Sequence, residues 1–182
     1  MKSLGVVLLF LAIMTGCSAT KAPEVAEPKV MLSNKFQFQN ATLHLSELID
    51  AEVSYHTEKG LQSILNRQLK RLLESKKMLT EDKRANTLVI TVNYERRFVG
   101  DKTPLPSSAL AYPSYAYRID VMDQETPLLH TMQQKQSFKG GLAMSKQVVT
   151  KSLNDKRDEN IFINALARDI VKSIQALQEK SK

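Results

Sequence analysis

The side chains that could carry out acid–base or metal chemistry are few and lie far apart in the sequence. Histidine occurs at His44, His56 and His130, and Glu58 follows His56 two residues later. A working site also needs a group that orients the acid or base, so we interpret all three as structural histidines, with a metal site or an acid–base pair as the alternative. Motifs of serine hydrolases, phosphate-binding loops, dinucleotide folds and zinc peptidases are absent. We therefore expect no catalytic residue, no metal site and no enzymatic activity.

The single cysteine, Cys17, directly follows an apolar segment. Lys2 precedes a mostly apolar run over residues 4–14, and the small residues Thr15 and Gly16 come after it. About 20 apolar residues are needed to cross a bilayer, so this shorter run predicts an export signal and not a transmembrane helix. A lone cysteine forms no internal disulfide, and no Cys/His cluster offers the four ligands of a structural zinc site.

The residues Met14-Thr15-Gly16-Cys17 resemble the lipobox of bacterial lipoprotein precursors. The resemblance implies that residues 1–16 are a lipoprotein signal peptide and that Cys17 receives a diacylglyceryl group and an N-acyl chain. Three acyl chains would make the membrane attachment effectively permanent, with no other cofactor expected. In Gram-negative lipoproteins an Asp after the cysteine commonly implies retention at the inner membrane, so Ser18 implies the outer membrane, with the domain on the periplasmic side. An ordinary secretory signal with an incidental cysteine is the alternative.

The remainder of the chain is predicted to be a short tether and one domain. Residues 17–29 contain Pro23 and Pro28 and lack apolar periodicity, which is typical of a flexible linker. The chain has 182 residues, of which 42% are hydrophobic and 25% charged, and this suits one globular domain at residues 30–182. The formal net charge of +7 permits anionic partners. Because export places the domain outside the cytoplasm, we expect no nucleic-acid partner.

The hydrophobic pattern predicts the elements of this domain. Alternating apolar residues predict strands at residues 35–39, 87–95, 115–122 and 128–138. The last two strands are expected to form a hairpin, because Asp123 to Thr126 supply a turn between them. Residues 100–113 carry three prolines and are expected to form a long loop. Residues 142–153 fit either an edge strand or a loop.

Helical spacing of apolar residues predicts two amphipathic helices. The first is expected over residues 57–79, with Thr57 or Ser54 as its cap. The second is expected to start at Asn154, Asp155 or Asp158 and to continue towards the C-terminus. Two amphipathic helices packed on one face of a mainly antiparallel sheet of about four strands form a two-layer α+β domain.

Two surfaces of this domain are candidates for binding. The first is the long loop, where we single out Leu105, Leu110, Tyr112 and Tyr115, because tyrosines are enriched at interface hot spots. The alternative is that the tyrosines cover the sheet. The second is a predicted basic face of the first helix, for which the candidates are Arg67, Lys70, Arg71 and Lys77. The alternative there is an ordinary solvated helix face.

The order of lipobox, proline-containing tether, helix, strand, hairpin and closing helix resembles the small outer-membrane lipoproteins of the YajG and LptE kind. That resemblance implies a sheet with two helices on one face. It also implies a non-enzymatic outer-membrane lipoprotein that faces the periplasm and acts as an accessory or assembly factor for an envelope complex, with an envelope protein as partner. The alternative function is a binding module for an anionic envelope component, such as lipopolysaccharide or lipid headgroups, through the basic helix face.

Overall fold

The structure, a computed structural model, describes residues 32–138 and 140–181. The predicted signal peptide, Cys17 and the tether at residues 17–29 lie outside the described residues. The elements in chain order are β1 (Gln37–Phe38), β2 (Thr42–Glu47), α1 (Glu58–Ser75), β3 (Thr87–Arg96), β4 (Ser114–Asp123), β5 (Thr126–Ser137), α2 (Leu142–Val149) and α3 (Lys156–Lys180). Among these helices none is both long and apolar enough to cross a membrane.

The strands form one mixed sheet around β3. The strands β1 and β2 pair in parallel with the same side of β3, β1 at its start (Gln37 opposite Thr87) and β2 further along. On its other side β3 pairs antiparallel with β4, and β4 pairs antiparallel with β5, as the predicted hairpin requires. The helix α1 is the crossover between the parallel strands β2 and β3. The predicted α+β class is confirmed.

The core lies between one face of the sheet and the helices α1 and α3. Alternate residues of β3 and β4 are buried against the helices: Leu88, Ile90, Val92, Tyr94, Tyr115, Tyr117, Ile119 and Val121. The apolar stripes of the two helices cover them, with Leu61, Leu65 and Leu69 from α1 and Ile163, Ile170 and Ile174 from α3. The opposite face of the sheet carries the intervening polar residues and is not covered by a helix of the described chain.

The helix starts agree with the sequence signals. Thr57 is the N-cap of α1, and its hydroxyl oxygen accepts a hydrogen bond from the backbone N–H of Gly60 at 3.2 Å. Asp155 is the N-cap of α3 and forms a capping box with Asp158. These side chains satisfy backbone N–H groups that have no partner within the helix, which fixes where each helix begins.

Two helices differ from the sequence-based expectation. Residues 142–149 form the helix α2, where an edge strand or a loop was predicted. The helix α1 ends at Ser75, four residues before the predicted end, and Leu79 instead forms a bridge with Phe36 beside the sheet. At Lys77 the backbone enters the left-handed region (φ 56°), so the chain turns out of the helix towards the sheet.

A second, smaller apolar cluster lies at the end of the sheet where α3 begins. It consists of buried Tyr55, Phe98, Leu110, Leu153 and Phe162. Tyr112, Phe138, Met144 and Val148 pack against it, so it joins the long loop after β3 to the helix α2. We refer to this group as the satellite cluster.

Candidate interaction surfaces

One edge of the sheet is closed by side chains of α1. The strand β2 pairs with β3 on one side, and its other side faces polar residues spaced one helical turn apart on α1. Three hydrogen bonds join them, from Ala41 N–H to Asn66 Oδ1 (2.6 Å), from Leu43 N–H to Gln62 Oε1 (3.0 Å) and from Leu45 N–H to Glu58 Oε2 (2.8 Å). Asn66 Nδ2 also donates to the Ala41 carbonyl at 3.0 Å. Because these backbone groups already have partners, this edge is protected against a further strand.

The opposite edge, β5, has no neighbouring strand among the described residues. This strand has 12 residues and pairs with β4 alone. The outer backbone groups of such a strand are a template for pairing with another chain. Pro127 near its start and Lys135 near its end are of the types that limit pairing at an edge. The segment 128–134 is therefore the part of β5 suited to strand addition.

The sheet face turned away from the helices is exposed and mostly polar. Arg118 pairs with Asp120 on β4 at 2.8 Å, and Lys135 of β5 pairs with Glu95 of β3 at 2.8 Å. Met132 of β5, which lies opposite Arg118, is 50% exposed and adds an apolar contact point close to the β5 edge. The β5 edge and this face therefore form one continuous accessible surface.

The long loop presents little of the surface predicted for it. Leu105 is 88% exposed, whereas Leu110 is buried in the satellite cluster and Tyr115 is buried under α3. The Tyr115 hydroxyl donates to Asp169 Oδ2 at 2.6 Å, and burial together with this carboxylate raises the pKa of Tyr115 well above its usual value. Tyr112 is half-buried and packs on the satellite cluster. Leu110 and Tyr115 are therefore not accessible to a partner, and Tyr115 covers the sheet. Leu105 is accessible, and Tyr112 is accessible in part.

The basic residues of α1 are exposed as expected from their spacing. Arg67, Lys70 and Arg71 share one face of the helix, and Lys77 lies in the turn that follows it. Arg71 donates to the neighbouring Gln68 at 2.7 Å. Within the described residues, none of the four basic side chains takes part in an ion pair. This face therefore carries an excess of positive charge, although Glu74 lies one helical turn from Lys70.

A buried ion pair that the sequence pattern did not predict connects the sheet to α3 and to the segment that precedes α1. Arg96, at the end of β3, donates to Glu159 Oε1 at 2.7 Å and to Glu47 Oε2 at 2.8 Å. Its guanidinium also donates to the His56 carbonyl and lies 5.4 Å from the centre of the Tyr55 ring. Glu159 is fully buried, and its second oxygen accepts from the His56 N–H at 3.1 Å. Hydrogen bonds thus satisfy the guanidinium of Arg96 and both carboxylate oxygens of Glu159, which indicates a structural role for the pair.

The pKa values of Arg96 and Tyr55 fit a structural role for this ion pair. Burial acts to lower the pKa of Arg96, but the hydrogen bonds and charges of Glu159 and Glu47 outweigh it and hold that pKa above its ordinary value. Burial and the charge of Glu159 raise the pKa of Tyr55 to about 12. The arginine therefore stays charged and the tyrosine neutral at physiological pH, as a buried ion pair with a neighbouring aromatic ring requires.

The three histidines are not brought together. His44 and His130 lie on β2 and β5, with two strands between them. His56 precedes α1, and its Nε2 atom is 3.2 Å from the Lys156 carbonyl oxygen. In the described part of the chain there is no group of three or more His, Cys, Asp or Glu side chains that could hold a metal ion. The metal and acid–base alternatives for the histidines therefore gain no support from the geometry.

Comparisons with known proteins give remote similarities in structure alone. No protein-family model and no curated protein matches the chain. Among solved structures it is similar to a minor lipoprotein from Acinetobacter baumannii, with 17% identity over 76% of this chain and 94% of that chain and a TM-score of 0.41. It is also similar to the PelC dodecamer from Paraburkholderia phytofirmans, with 11% identity over 74% of this chain and 92% of that chain and a TM-score of 0.29.

Proposed function

We propose that this protein is a non-enzymatic lipoprotein of the bacterial outer membrane, held on the periplasmic side by acyl chains on Cys17. In this proposal it acts as an accessory or assembly factor that binds an envelope protein by adding a strand of that partner to β5. The observation that carries the proposal is the contrast between the two sheet edges. The β2 edge is closed by α1 side chains, whereas β5 has no neighbour among the described residues.

Strand addition suits this edge for physical reasons. Main-chain hydrogen bonds supply affinity in such complexes, and alternate side chains supply specificity. The segment 128–134 lies between the restricting residues Pro127 and Lys135, and Met132 gives it an apolar contact next to the edge. An extended segment of a partner docked there would continue the antiparallel order of β3, β4 and β5.

Site-specific crosslinking in intact cells tests the strand-addition proposal. A photoreactive amino acid at position 132 should capture a defined envelope protein. With the photoreactive amino acid at the exposed position 134 instead, Met132→Lys should reduce capture of that protein at least tenfold. His44 is a matched control position, because it is also exposed on a strand, but at the edge that α1 closes. Equal capture from positions 44 and 132, or capture of no defined protein from position 132, would contradict the proposal.

The membrane anchor has a separate test. Metabolic labelling with palmitate should label the wild-type protein and should fail for Cys17→Ala. Fractionation of the labelled cells should place the wild-type protein with the outer membrane. A Cys17→Ala protein that still incorporates palmitate would remove the lipoprotein assignment.

A second candidate function is the binding of an anionic envelope component through α1. The observation in its favour is the exposed basic face of Arg67, Lys70 and Arg71, which has no ion-pair partner in the described residues. Lipopolysaccharide, which carries negatively charged phosphate groups, is the probe for a binding measurement. Its binding should weaken as the salt concentration rises, because the contact is electrostatic. Reversal of the three charges to Glu should abolish this binding, whereas reversal of Lys83 and Arg84, which lie outside α1, should not.

A further inference from the structure

The short helix α2 has an exposed apolar side. We propose that its outer face, formed by Leu142, Lys146 and Val149, docks on an anionic lipid surface. We call these three residues the α2 docking face. The biological setting of this inference rests on the proposed lipid anchor, but the contact itself involves different residues.

The α2 docking face is apolar and exposed to an unusual degree. Leu142 is 92% exposed and Val149 is 79% exposed, the first and last residues of the helix. With Lys146 they occupy positions i, i+4 and i+7, which lie on one side of a helix. Met144 and Val148 lie on the other side and pack against the satellite cluster. The helix therefore has two apolar sides, and one of them has no cover in the described structure.

The helix is fixed to the body, so this exposure has a defined direction. Ser145 Oγ lies 2.8 Å from the Tyr112 hydroxyl, in hydrogen-bond contact. Just before the helix, a Cβ atom on Gly140 would come within 2.6 Å of the same hydroxyl, so the chain passes close over the tyrosine. These contacts hold the inner side of α2 against the protein and turn Leu142 and Val149 outwards.

The charge around α2 selects an anionic surface. No Asp or Glu occurs between Glu125 and Asp155, a stretch that contains Lys139, Lys146 and Lys151 besides Lys135, which pairs with Glu95. Exposed aliphatic side chains beside lysines are the pattern of helices that lie in the plane of an anionic membrane, where the lysines reach the headgroups. Protein hot spots favour Trp, Tyr and Arg, and the α2 docking face has none of these. The chemistry therefore favours lipid over a protein partner.

The anchor and the α2 docking face can meet the same bilayer. The described chain starts beside the C-terminal part of α3, where Gln178 Nε2 donates to the Asn34 carbonyl at 3.0 Å. The satellite cluster under α2 includes Phe162, near the other end of this 25-residue helix, which is about 37 Å long. The fifteen residues from Cys17 to Met31 can span at most about 50 Å. An anchored molecule can therefore lie along the membrane with α2 in contact.

Vesicle sedimentation of the mature chain (residues 17–182) with Cys17→Ser tests the contact without the acyl chains. The protein should bind vesicles of phosphatidylglycerol and phosphatidylethanolamine but not vesicles of phosphatidylcholine. The double variant Leu142→Ser/Val149→Ser should bind the anionic vesicles at least tenfold more weakly. The matched control is Leu48→Ser, which removes a leucine that is 54% exposed in the segment after β2 and should leave binding unchanged.

Three results would overturn the inference. The first is no binding to anionic vesicles, and the second is equal loss of binding in the Leu48→Ser control. The third is binding that depends on Arg67, Lys70 and Arg71 but not on Leu142 and Val149, which would assign the lipid contact to α1. Circular dichroism of each variant establishes that it is folded. Palmitate labelling of the wild-type protein reports the anchor independently, so a failure of this inference is distinct from a failure of the proposed anchor.

Discussion

The contact between Arg96 and Glu159 shows how single side chains join distant parts of the chain. These residues are 63 positions apart, and both have side chains that are 6% exposed or less. A charged residue at the end of a predicted strand looks like a surface residue in the sequence, because its partner lies on a helix that folds back from far along the chain. For the same reason the sequence left open whether Tyr115 contacts a partner or covers the sheet, because Asp169, which accepts from its hydroxyl, is 54 positions away.

Removal of one member of this buried pair is expected to destabilise the protein strongly. Glu159→Ala leaves the Arg96 guanidinium without its main partner in a buried site, and this should lower the free energy of unfolding by about 3–5 kcal/mol. The matched change Glu47→Ala removes a partner that is 37% exposed and should cost clearly less. Urea unfolding of both variants measures the two values. Equal losses would show that the Arg96–Glu159 contact is not the dominant one.

A second residue-scale prediction concerns Asp101, whose side chain is 5% exposed at the start of the long loop. Its carboxylate accepts from Arg97 Nε at 2.5 Å and from the Phe98 N–H at 3.1 Å, and the hydrogen bond from Arg97 holds its pKa below the usual value. A depressed pKa in the folded state contributes stability above the unfolded pKa of about 4, and that stability is lost as pH falls through the folded pKa. Asp101→Asn should therefore destabilise the protein at pH 7 and much less below pH of about 3.

The control for this pH dependence is Asp82→Asn. The pKa of Asp82 is also lowered by a neighbouring arginine, Arg84, but this pair is on the surface. Solvent screening should make its removal nearly neutral at every pH. Thermal unfolding of both variants between pH 2.5 and 7 provides the comparison. A loss for Asp101→Asn that is the same at both ends of this range would show that its charge is not responsible.

At the scale of elements, the hydrophobic pattern predicted those helices and strands that bury one whole side of their own residues. The alternate residues of β3 bury one whole side of that strand, and the leucines of α1 bury one whole side of that helix. The positions of both elements were therefore predictable from residues 57–95 alone. The helix α2 was missed because its eight residues have no buried position. Its helical form depends on contacts of Met144 and Val148 with the satellite cluster, which no local window contains. The closure of the β2 edge had a signal in the spacing of Glu58, Gln62 and Asn66.

That closure leads to a prediction about the β2 edge. The double variant Gln62→Ala/Asn66→Ala removes the acceptors for the Ala41 and Leu43 N–H groups. Hydrogen exchange measured by NMR should become at least tenfold faster at these two amides, and stability should fall by about 1–3 kcal/mol. Ser63→Ala changes an exposed residue of the same helix and should alter neither quantity. Unchanged exchange at both amides would mean that the side chains do not protect this edge.

At the scale of the whole molecule, two separate apolar clusters stabilise different parts of the described chain. The larger cluster joins α1, α3 and the sheet, and it contains most of the buried aliphatic residues. The satellite cluster holds the long loop and α2, the parts that carry Leu105 and the α2 docking face. A small cluster under exposed segments is expected to open more readily than the main core. We therefore expect the α2 docking face to lie on the part of the described molecule that opens first, whereas the β5 edge belongs to the sheet of the main core.

Phe162 is the residue on which the integrity of this satellite cluster depends most. Its ring is fully buried and contacts those of Phe138 and Tyr112 edge-on, with centroids 5.1 and 6.4 Å apart. Phe162→Ala should cost about 3–5 kcal/mol and should release the loop and α2 before the main core opens. Trypsin under native conditions should then cleave first after Lys102, Lys146 and Lys151, which are all exposed.

The matched variant is Ile170→Ala, eight residues further along α3 in the main core. It should cost a similar order of free energy, about 2–5 kcal/mol, but it leaves the satellite cluster intact. Its cleavage should follow global unfolding, so early fragments ending at Lys102, Lys146 or Lys151 should not accumulate. If both variants give the same fragments at the same relative rates, the two clusters unfold as one unit and the loop and α2 are as stable as the core. If Phe162→Ala alone gives the early fragments, the long loop and α2 can open while the sheet and the two long helices remain folded.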